Sequence, residues 1–322
     1  MDASRDMVAA VERLKAGELV CFPTETVYGL GADAANPQAV ARIFALKGRP
    51  ANHPLIVHLG SVEQLELWAR EVPAAARKLA QAFWPGPLTL ILEKAPWVPL
   101  AVTGGQQTIG LRIPAHILAL ELLQHFGGGL AAPSANRFGQ VSPTTAAHVR
   151  SEFGAEAPLI LDGGPCQVGV ESTILHLAGE EAVLLRPGQI TVSQLAAVLG
   201  KAPRSHQAND QVRAPGLLAS HYAPRTPLRL CTPEQVAGLC ALHPGAPVAL
   251  LDHAPGPDNP LPEPITLIPM PSTPEGYARA LYATLRALDT QNFALILVIN
   301  PPTGERWQAI HNRLTRAAAT PV

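Results

Sequence analysis

The segment KGRPANHPLIVHL (47–59) sets two permanent cations, Lys47 and Arg49, two residues apart on a path fixed by Gly48 and Pro50. His53 follows, and His58 sits inside the apolar run after it. Cations stay out of interiors unless something negative meets them. Lys47 alone suits a helix C-terminus, where positive charge complements the helix dipole. Arg49 and His53 lie past the glycine that stops such a helix, so an anion is the better account of them. His58 alternates with Ile56 and shares its strand face; taken alone it reads as a satisfied core histidine.

Four other stretches could join in. PTETVYGLG (23–31) is a polar turn closed by two glycines at a strand end, where open α/β sheets favour ligands. In QQTIGLRIP (106–114) Arg112 interrupts an apolar strand, and a guanidinium there requires a carboxylate or phosphate partner. A structural Asp or Glu is the default partner. APSANRFGQVSPT (132–144) offers Ser134, Asn136 and Ser142 ahead of a helix, which is either an N-cap cluster or a phosphate cradle. GVESTILHL (169–177) opens a strand on Ser172 and Thr173, and LLRPG (184–188) ends one on Arg186. There is no Walker A loop, no Rossmann fingerprint and no G-x-S-x-G elbow. Strand-end cations with several hydroxyl donors, and no evident nucleophile, base or metal cage, fit catalysis by positioning and charge neutralisation. Nucleotidyl and phosphoryl transfer are reactions of that kind.

The elements that must hold these residues follow from pattern. Helical spacing covers 5–16 and 36–48, the latter with Asn36 as N-cap, Pro37 in the first turn and Gly48 as stop. Helices are also expected near 61–69, 73–83, 115–126, 142–153 and 191–200. Strands are expected at 18–23, 54–59, 88–93, 108–114, 129–136, 159–164, 172–177 and 182–188, with 23–33 as a loop. The result is an α/β fold, a twisted mixed open sheet with packed helices, and not a TIM barrel. Residues 201–227 lack periodic apolar pattern and read as a linker. After it, APVALLD, PITLIPM and FALILVIN with helices at 274–289 and 304–318 predict a smaller C-terminal α/β domain of Rossmann-like build, over 228–322. The catalytic domain is then 1–200.

Composition agrees. With 322 residues, 47% hydrophobic and 15% charged, the chain can bury a sizeable core. A net charge of −1 gives no global pull toward nucleic acid or membrane. The linker region 201–230 is the exception, with five Lys/Arg against one Asp/Glu. Four scattered cysteines without a Cys-x-x-Cys pair suit free thiols in a cytoplasmic setting. The N-terminus does not resemble a signal peptide, and no run approaches the ~20 apolar residues of a membrane helix.

PTETVYGLG, Lys47-x-Arg49, APSAN with its Ser134-x-Asn136 pair, ESTI and RPG, in this order, resemble the YrdC-type threonylcarbamoyl-AMP synthases over residues ~5–195. The linker's SHYAP and the C-terminal TGERWQAIHNRLTRAA resemble the longer, two-domain form. The resemblance implies that L-threonine, bicarbonate (or CO2) and ATP, with Mg²⁺, give threonylcarbamoyl-AMP and pyrophosphate. Separate proteins then pass the threonylcarbamoyl group to tRNA. It further implies that Thr26, His58, Arg112, Ala132 and Ser172 hold threonine. Lys47, Arg49, His53, Thr108, Ser134, Asn136, Ser142 and Arg186 would surround ATP, with Lys47 and Arg49 as the catalytic pair and Tyr222 closing over the nucleotide. No residue-only metal site is implied. The competing class is an RNA-binding module reading helices by shape and phosphate, without ATP turnover.

Overall fold

The computed structural model describes residues 3–207, 210–218, 221–254 and 265–319. They fall into two compact units, Met1–Phe138 with Ser142–Leu217, and Gly139–Val141 with Leu218–Val322.

The first unit is built on a mixed sheet of ten described strands. These are β1 (Val20–Phe22), β2 (Gly29–Asp33), β3 (Ile56–His58), β4 (Leu88–Glu93), β5 (Thr108–Arg112), β6 (Leu130–Ala131), β7 (Leu159–Ile160), β8 (Thr173–His176), β9 (Val183–Arg186) and β10 (Arg204–Ser205). Their order across the sheet is β10-β9-β8-β4-β5-β3-β6-β2-β1-β7. The expected open mixed sheet with packed helices is what forms. Two expectations need correcting. The glycine-rich end of the 23–33 stretch is a strand, β2, antiparallel to β1. Gly31 is demanded by packing: a Cβ there would come within 2.7 Å of the Phe22 ring. The helix expected from 142 starts only at Ala146, because Thr145 takes the extended N-cap conformation and accepts from His148 N.

Register places the chemistry. Positions paired across adjacent strands point to one face of a sheet. His58 pairs with Arg112 between β3 and β5. Leu90 pairs with Leu111, which brings Thr89 level with Arg112. Thr89 pairs with Ile174, and Ile174 with Arg186. One face therefore carries His58, Arg112, Thr89 and Arg186 in a row across five neighbouring strands, with Ser172 at its edge. The opposite face holds Val57, Leu90, Leu111 and Leu175 in the main core, together with Trp68 and Leu79 from the helices and Trp84 just past one. Burying an apolar side chain of this size stabilises by about 1.5–3 kcal/mol, so that face anchors the row.

The linker expectation also needs correcting. Residues 204–205 add β10 to the edge of β9. Val212, Ala214 and Leu217 pack on Ile56, Ile91, Ile174, Val183 and Leu185, the apolar part of the face that carries the row. Arg213 pins this strap: it donates to the carbonyls of Asn52 at 3.0 Å and Gly104 at 2.8 Å, and its backbone N–H donates to the Gln106 side chain at 2.7 Å. The apolar residues of the strap are too irregularly spaced to show a period.

In the second unit β11 (Leu228–Cys231), β12 (Val248–Asp252), β13 (Ile265–Pro269) and β14 (Leu295–Ile299) form a wholly parallel sheet ordered β11-β14-β12-β13. Such sheets are covered on both faces, which accounts for the continuous apolar runs of β12 and β14. The sequence reading missed β11, the short strand LRLC. No helix among the described residues is long and apolar enough to cross a membrane.

Candidate active site

Lys47 ends the helix Pro37–Lys47, whose cap is as expected: Asn36 accepts from Gln38 N and Ala39 N, and Gly48 takes the left-handed conformation at φ 63°. The buried Lys47 ammonium donates to the Ser134 carbonyl at 2.6 Å and to the Asn136 carbonyl. Its own carbonyl accepts from Phe138 N at 2.8 Å. Burial first, and the Arg49 charge second, push its pKa well below the usual lysine range. Arg49 donates to the Pro54 carbonyl at 2.9 Å and lies 5.7 Å from the centre of the Phe138 ring. His53 meets the same ring edge-on at 5.3 Å. The two sequence pairs Lys47-x-Arg49 and Ser134-x-Asn136 thus come together as one laced unit, with Phe138 between Arg49 and His53. Thr108 opens β5 opposite Glu93, at the other end of that strand from Arg112.

Arg112 is 4% exposed and its partners are now visible. Nε donates to the Gly86 carbonyl at 3.2 Å, Nη1 to Thr26 Oγ1 at 3.0 Å, and Nη2 to Glu25 Oε1 at 2.6 Å. The other carboxylate oxygen of Glu25 accepts from Ala115 N at 3.0 Å. Of the five guanidinium N–H groups three are engaged, and one remains on each terminal nitrogen. Two such groups can take one further carboxylate. The default structural acid therefore exists, and capacity for a ligand carboxylate remains beside it. Glu25 was overlooked in the sequence, although a signal was present: it is the one charged residue between Glu18 and Asp33.

His58 stands next to Arg112 with its ring edge-on to Phe22 at 6.1 Å. Its Nδ1 is buried without a hydrogen-bond partner. Burial, and then the Arg112 charge, bring its pKa down to about 3, so the ring is neutral at physiological pH. The consequence for stability has a definite sign. The unfolded chain takes a proton near pH 6.5 and the folded chain does not, so this part of the stability is complete above that pH and falls as pH drops toward 3. The slope is about 1.4 kcal/mol per pH unit at most. Urea denaturation between pH 7 and 5 is expected to show that loss, and His58→Gln to flatten it; an unchanged slope in the variant would reject the assignment.

Ser172 is fully buried between two strands of the row. Its hydroxyl is 2.8 Å from Thr89 Oγ1 and accepts from Arg186 Nη2 at 3.2 Å. Arg186 also donates through Nε to the Ser172 carbonyl at 3.0 Å and through Nη1 to the Pro215 carbonyl of the strap at 3.2 Å. Gly188 of the RPG turn makes this fit possible. A Cβ there would lie 2.3 Å from Thr173 N and 2.7 Å from the carbonyl carbon of Ser172. Gly188→Ala is expected to cost about 1–3 kcal/mol in urea denaturation and to weaken ligand binding at Ser172, since backbone must move; a wild-type midpoint would contradict the packing.

Ser142 donates to Glu171 Oε1 at 2.6 Å, both residues being buried. Ala132 lies beneath the glycine strand, its N–H on the Ile56 carbonyl at 3.0 Å. The polar turn and the SAN loop are joined by backbone bonds from Tyr28 N to Pro143 O and from Ala135 N to Tyr28 O. Tyr222 belongs to the second unit. Its ring stacks on Tyr282 at 5.9 Å with the Arg313 guanidinium 5.2 Å from its centre, and its φ of 61° is left-handed. The structure thus gives it a socket within that unit. Ala219 and Ser220, the latter the first residue of SHYAP, lie outside the described residues.

Comparison with known proteins gives one answer. Residues 12–188 match the Sua5_yciO_yrdC family, described as telomere recombination, and residues 190–319 match the threonylcarbamoyl-AMP synthase C-terminal domain. The chain is 40% identical over 317 residues to the threonylcarbamoyl-AMP synthase of Bacillus subtilis, covering 96% of this chain and 92% of that protein. It is 49% identical to the threonylcarbamoyl-AMP synthase of Pyrococcus abyssi over 216 residues, 66% of this chain and 63% of the relative. The crystal structure of P. abyssi Sua5 complexed with L-threonine superimposes with a TM-score of 0.89 at 38% identity, covering 99% of this chain and 95% of the other. With two domain matches in sequence order and an alignment that spans nearly all of both proteins, the chain belongs to the Sua5/YciO/YrdC family in its two-domain form.

Proposed function

We propose that the chain is an L-threonylcarbamoyladenylate synthase, a nucleotidyltransferase that forms threonylcarbamoyl-AMP and pyrophosphate from L-threonine, bicarbonate (or CO2) and ATP, for threonylcarbamoyladenosine modification of tRNA. The observation that carries the reading is Arg112: a buried guanidinium, fixed on three sides, keeps one N–H on each terminal nitrogen among neutral His58, Thr26 and the Ser172 cluster. That arrangement suits the carboxylate of an amino acid. The relatives' names, and the threonine bound to the P. abyssi protein, support the same substrate.

In this reading the threonine amine captures the one-carbon unit as a carbamate. A carbamate oxygen then attacks the α-phosphorus of ATP and pyrophosphate leaves. Both reactants are anionic, so the barrier is lowered by fixed positive charge that needs no reorganisation. Lys47 holds the Ser134–Asn136 loop through two carbonyls, and Arg49 and Arg186 would supply the positive charge toward the nucleotide. Mg²⁺ enters with ATP; among the described residues no three His, Cys, Asp or Glu side chains converge to hold an ion unaided. The metal would neutralise phosphate charge. The product, a mixed anhydride, is unstable in water and would pass to proteins that transfer it to tRNA. Four free cysteines suit the cytoplasm where that occurs.

Mass spectrometry of products from the purified protein with ATP, threonine and labelled bicarbonate tests the proposal. Threonylcarbamoyl-AMP carrying the label is expected; ATP turnover without it would overturn the reading.

A further inference from the structure

Gly139–Val141 is a three-residue excursion: the chain leaves the first unit after Phe138 and returns to it at Ser142. Both ends of the excursion border on candidate nucleotide residues. Phe138 lies between Arg49 and His53 and donates its N–H to the Lys47 carbonyl. Ser142 is one of the residues that the family resemblance sets around ATP. The residues that hold the three in between belong to the second unit.

The Gly139 carbonyl accepts from Ala223 N at 3.0 Å, and Gln140 bridges to Ala223 in parallel fashion. The Val141 carbonyl accepts from Arg286 Nη2 at 2.5 Å. Arg286 stands in the last turn of the helix Pro274–Leu288, where a cation complements the helix dipole. The dipole accounts for a positive charge there. It does not account for a guanidinium that reaches a carbonyl 145 residues back in the chain. That carbonyl belongs to the planar peptide unit whose nitrogen is that of Ser142, so its direction sets how the chain enters Ser142. Tyr282 lies four positions before Arg286, on the same helix face. Its ring stacks on Tyr222. One helix face thus holds both Tyr222 and the segment that leads into Ser142, and Ala223 ties the two to each other.

We propose that Arg286 is a positioning residue for ATP, acting through the Val141 carbonyl to keep the stretch from Phe138 to Ser142 in the arrangement that accepts nucleotide. This rests on the nucleotide reading above. Without its hold the segment samples arrangements that do not accept ATP, and apparent affinity falls in proportion to the fraction that does. KM for ATP therefore rises. At saturating ATP the bound nucleotide restores the arrangement, so kcat stays near wild type. Threonine binding is spared, because His58 and Arg112 are placed by strand pairing between β3 and β5.

The test measures pyrophosphate release by the full chain over a range of ATP, with threonine, bicarbonate and Mg²⁺ saturating, and threonine affinity by calorimetry. Arg286→Met keeps the length of the side chain and removes its donors. It is expected to raise KM for ATP about 10-fold or more, the effect of one lost hydrogen bond from a charged group, with kcat and threonine affinity within about twofold of wild type. Arg286→Lys keeps a charged donor and is expected to recover part of the loss. Gly139 has a left-handed φ of 83°, and a Cβ there meets nothing within 4 Å. Gly139→Ala therefore strains the segment without a clash or a change of charge, and is expected to raise KM for ATP in the same way. The double variant is expected to raise it by less than the product of the two single effects, since both loosen one segment. If Arg286→Met fails to fold, Gly139→Ala decides, with threonine affinity as its control. An unchanged KM for ATP, or equal losses toward ATP and threonine, would overturn the proposal. Wild-type protein that releases no pyrophosphate from ATP would overturn the nucleotide reading instead.

Discussion

Arg112→Ala is expected to abolish threonine-dependent pyrophosphate release, to leave much of the ATP binding, and to destabilise the fold at the same time. The first effect follows from the two N–H groups it would remove from the proposed carboxylate site; truncating one partner of a buried charged pair costs 2–5 kcal/mol or more, roughly 400-fold in affinity at mid-range. The third follows from Glu25. With the guanidinium gone, a carboxylate that is 7% exposed keeps only the Ala115 N–H as partner. Leaving a charge buried and unpaired costs about 3–5 kcal/mol. A loss of activity in this variant would therefore be ambiguous alone. The double variant Arg112→Met with Glu25→Gln separates the two effects, because neutral side chains of similar size replace both partners. Its urea midpoint is expected to return toward wild type while threonine binding stays absent by calorimetry. Normal threonine affinity in either variant would reject the role of Arg112.

The Arg112 environment also shows what could be read in advance. That a guanidinium inside TIGLR needed an anion was legible from chemistry alone. Which anion was not, because Glu25 is 87 residues away in the chain and only the sheet order brings them together. Helix ends were legible for the same local reason: Asn36 and Gly48 act through their own backbone neighbours. The strand β2 was not, since glycine in a strand is decided by the Phe22 ring facing it. Lys47, Arg49, Ser134 and Asn136 were legible as candidates, but not that Lys47 ties the carbonyls of Ser134 and Asn136 together while Arg49 lies against Phe138. The strap was the largest omission. Val212, Ala214 and Leu217 show no period, and their partners lie as far back as Ile56.

That omission alters what truncation should do. Ending the chain at residue 200 is expected to damage the first unit itself, whereas ending it at 217 is not. The shorter form removes β10, the Pro215 carbonyl that takes Arg186 Nη1, and the strap over Ile56, Ile91, Ile174, Val183 and Leu185. Uncovering apolar side chains costs about 1.5–3 kcal/mol for each one fully exposed, against a total stability of about 5–15 kcal/mol. Residues 1–200 are therefore expected to aggregate or to melt far below the parent. Residues 1–217 keep every one of those contacts and are expected to unfold cooperatively and to bind threonine. They lack Tyr222, which the family resemblance assigns to closure over the nucleotide. Pyrophosphate release by 1–217 is accordingly expected to be crippled although binding survives. Thermal unfolding and pyrophosphate release measured on both forms distinguish the cases. A stable 1–200 would show that the strap contributes little, and full turnover by 1–217 would leave Tyr222 with its socket beside Tyr282 and Arg313 as its whole role.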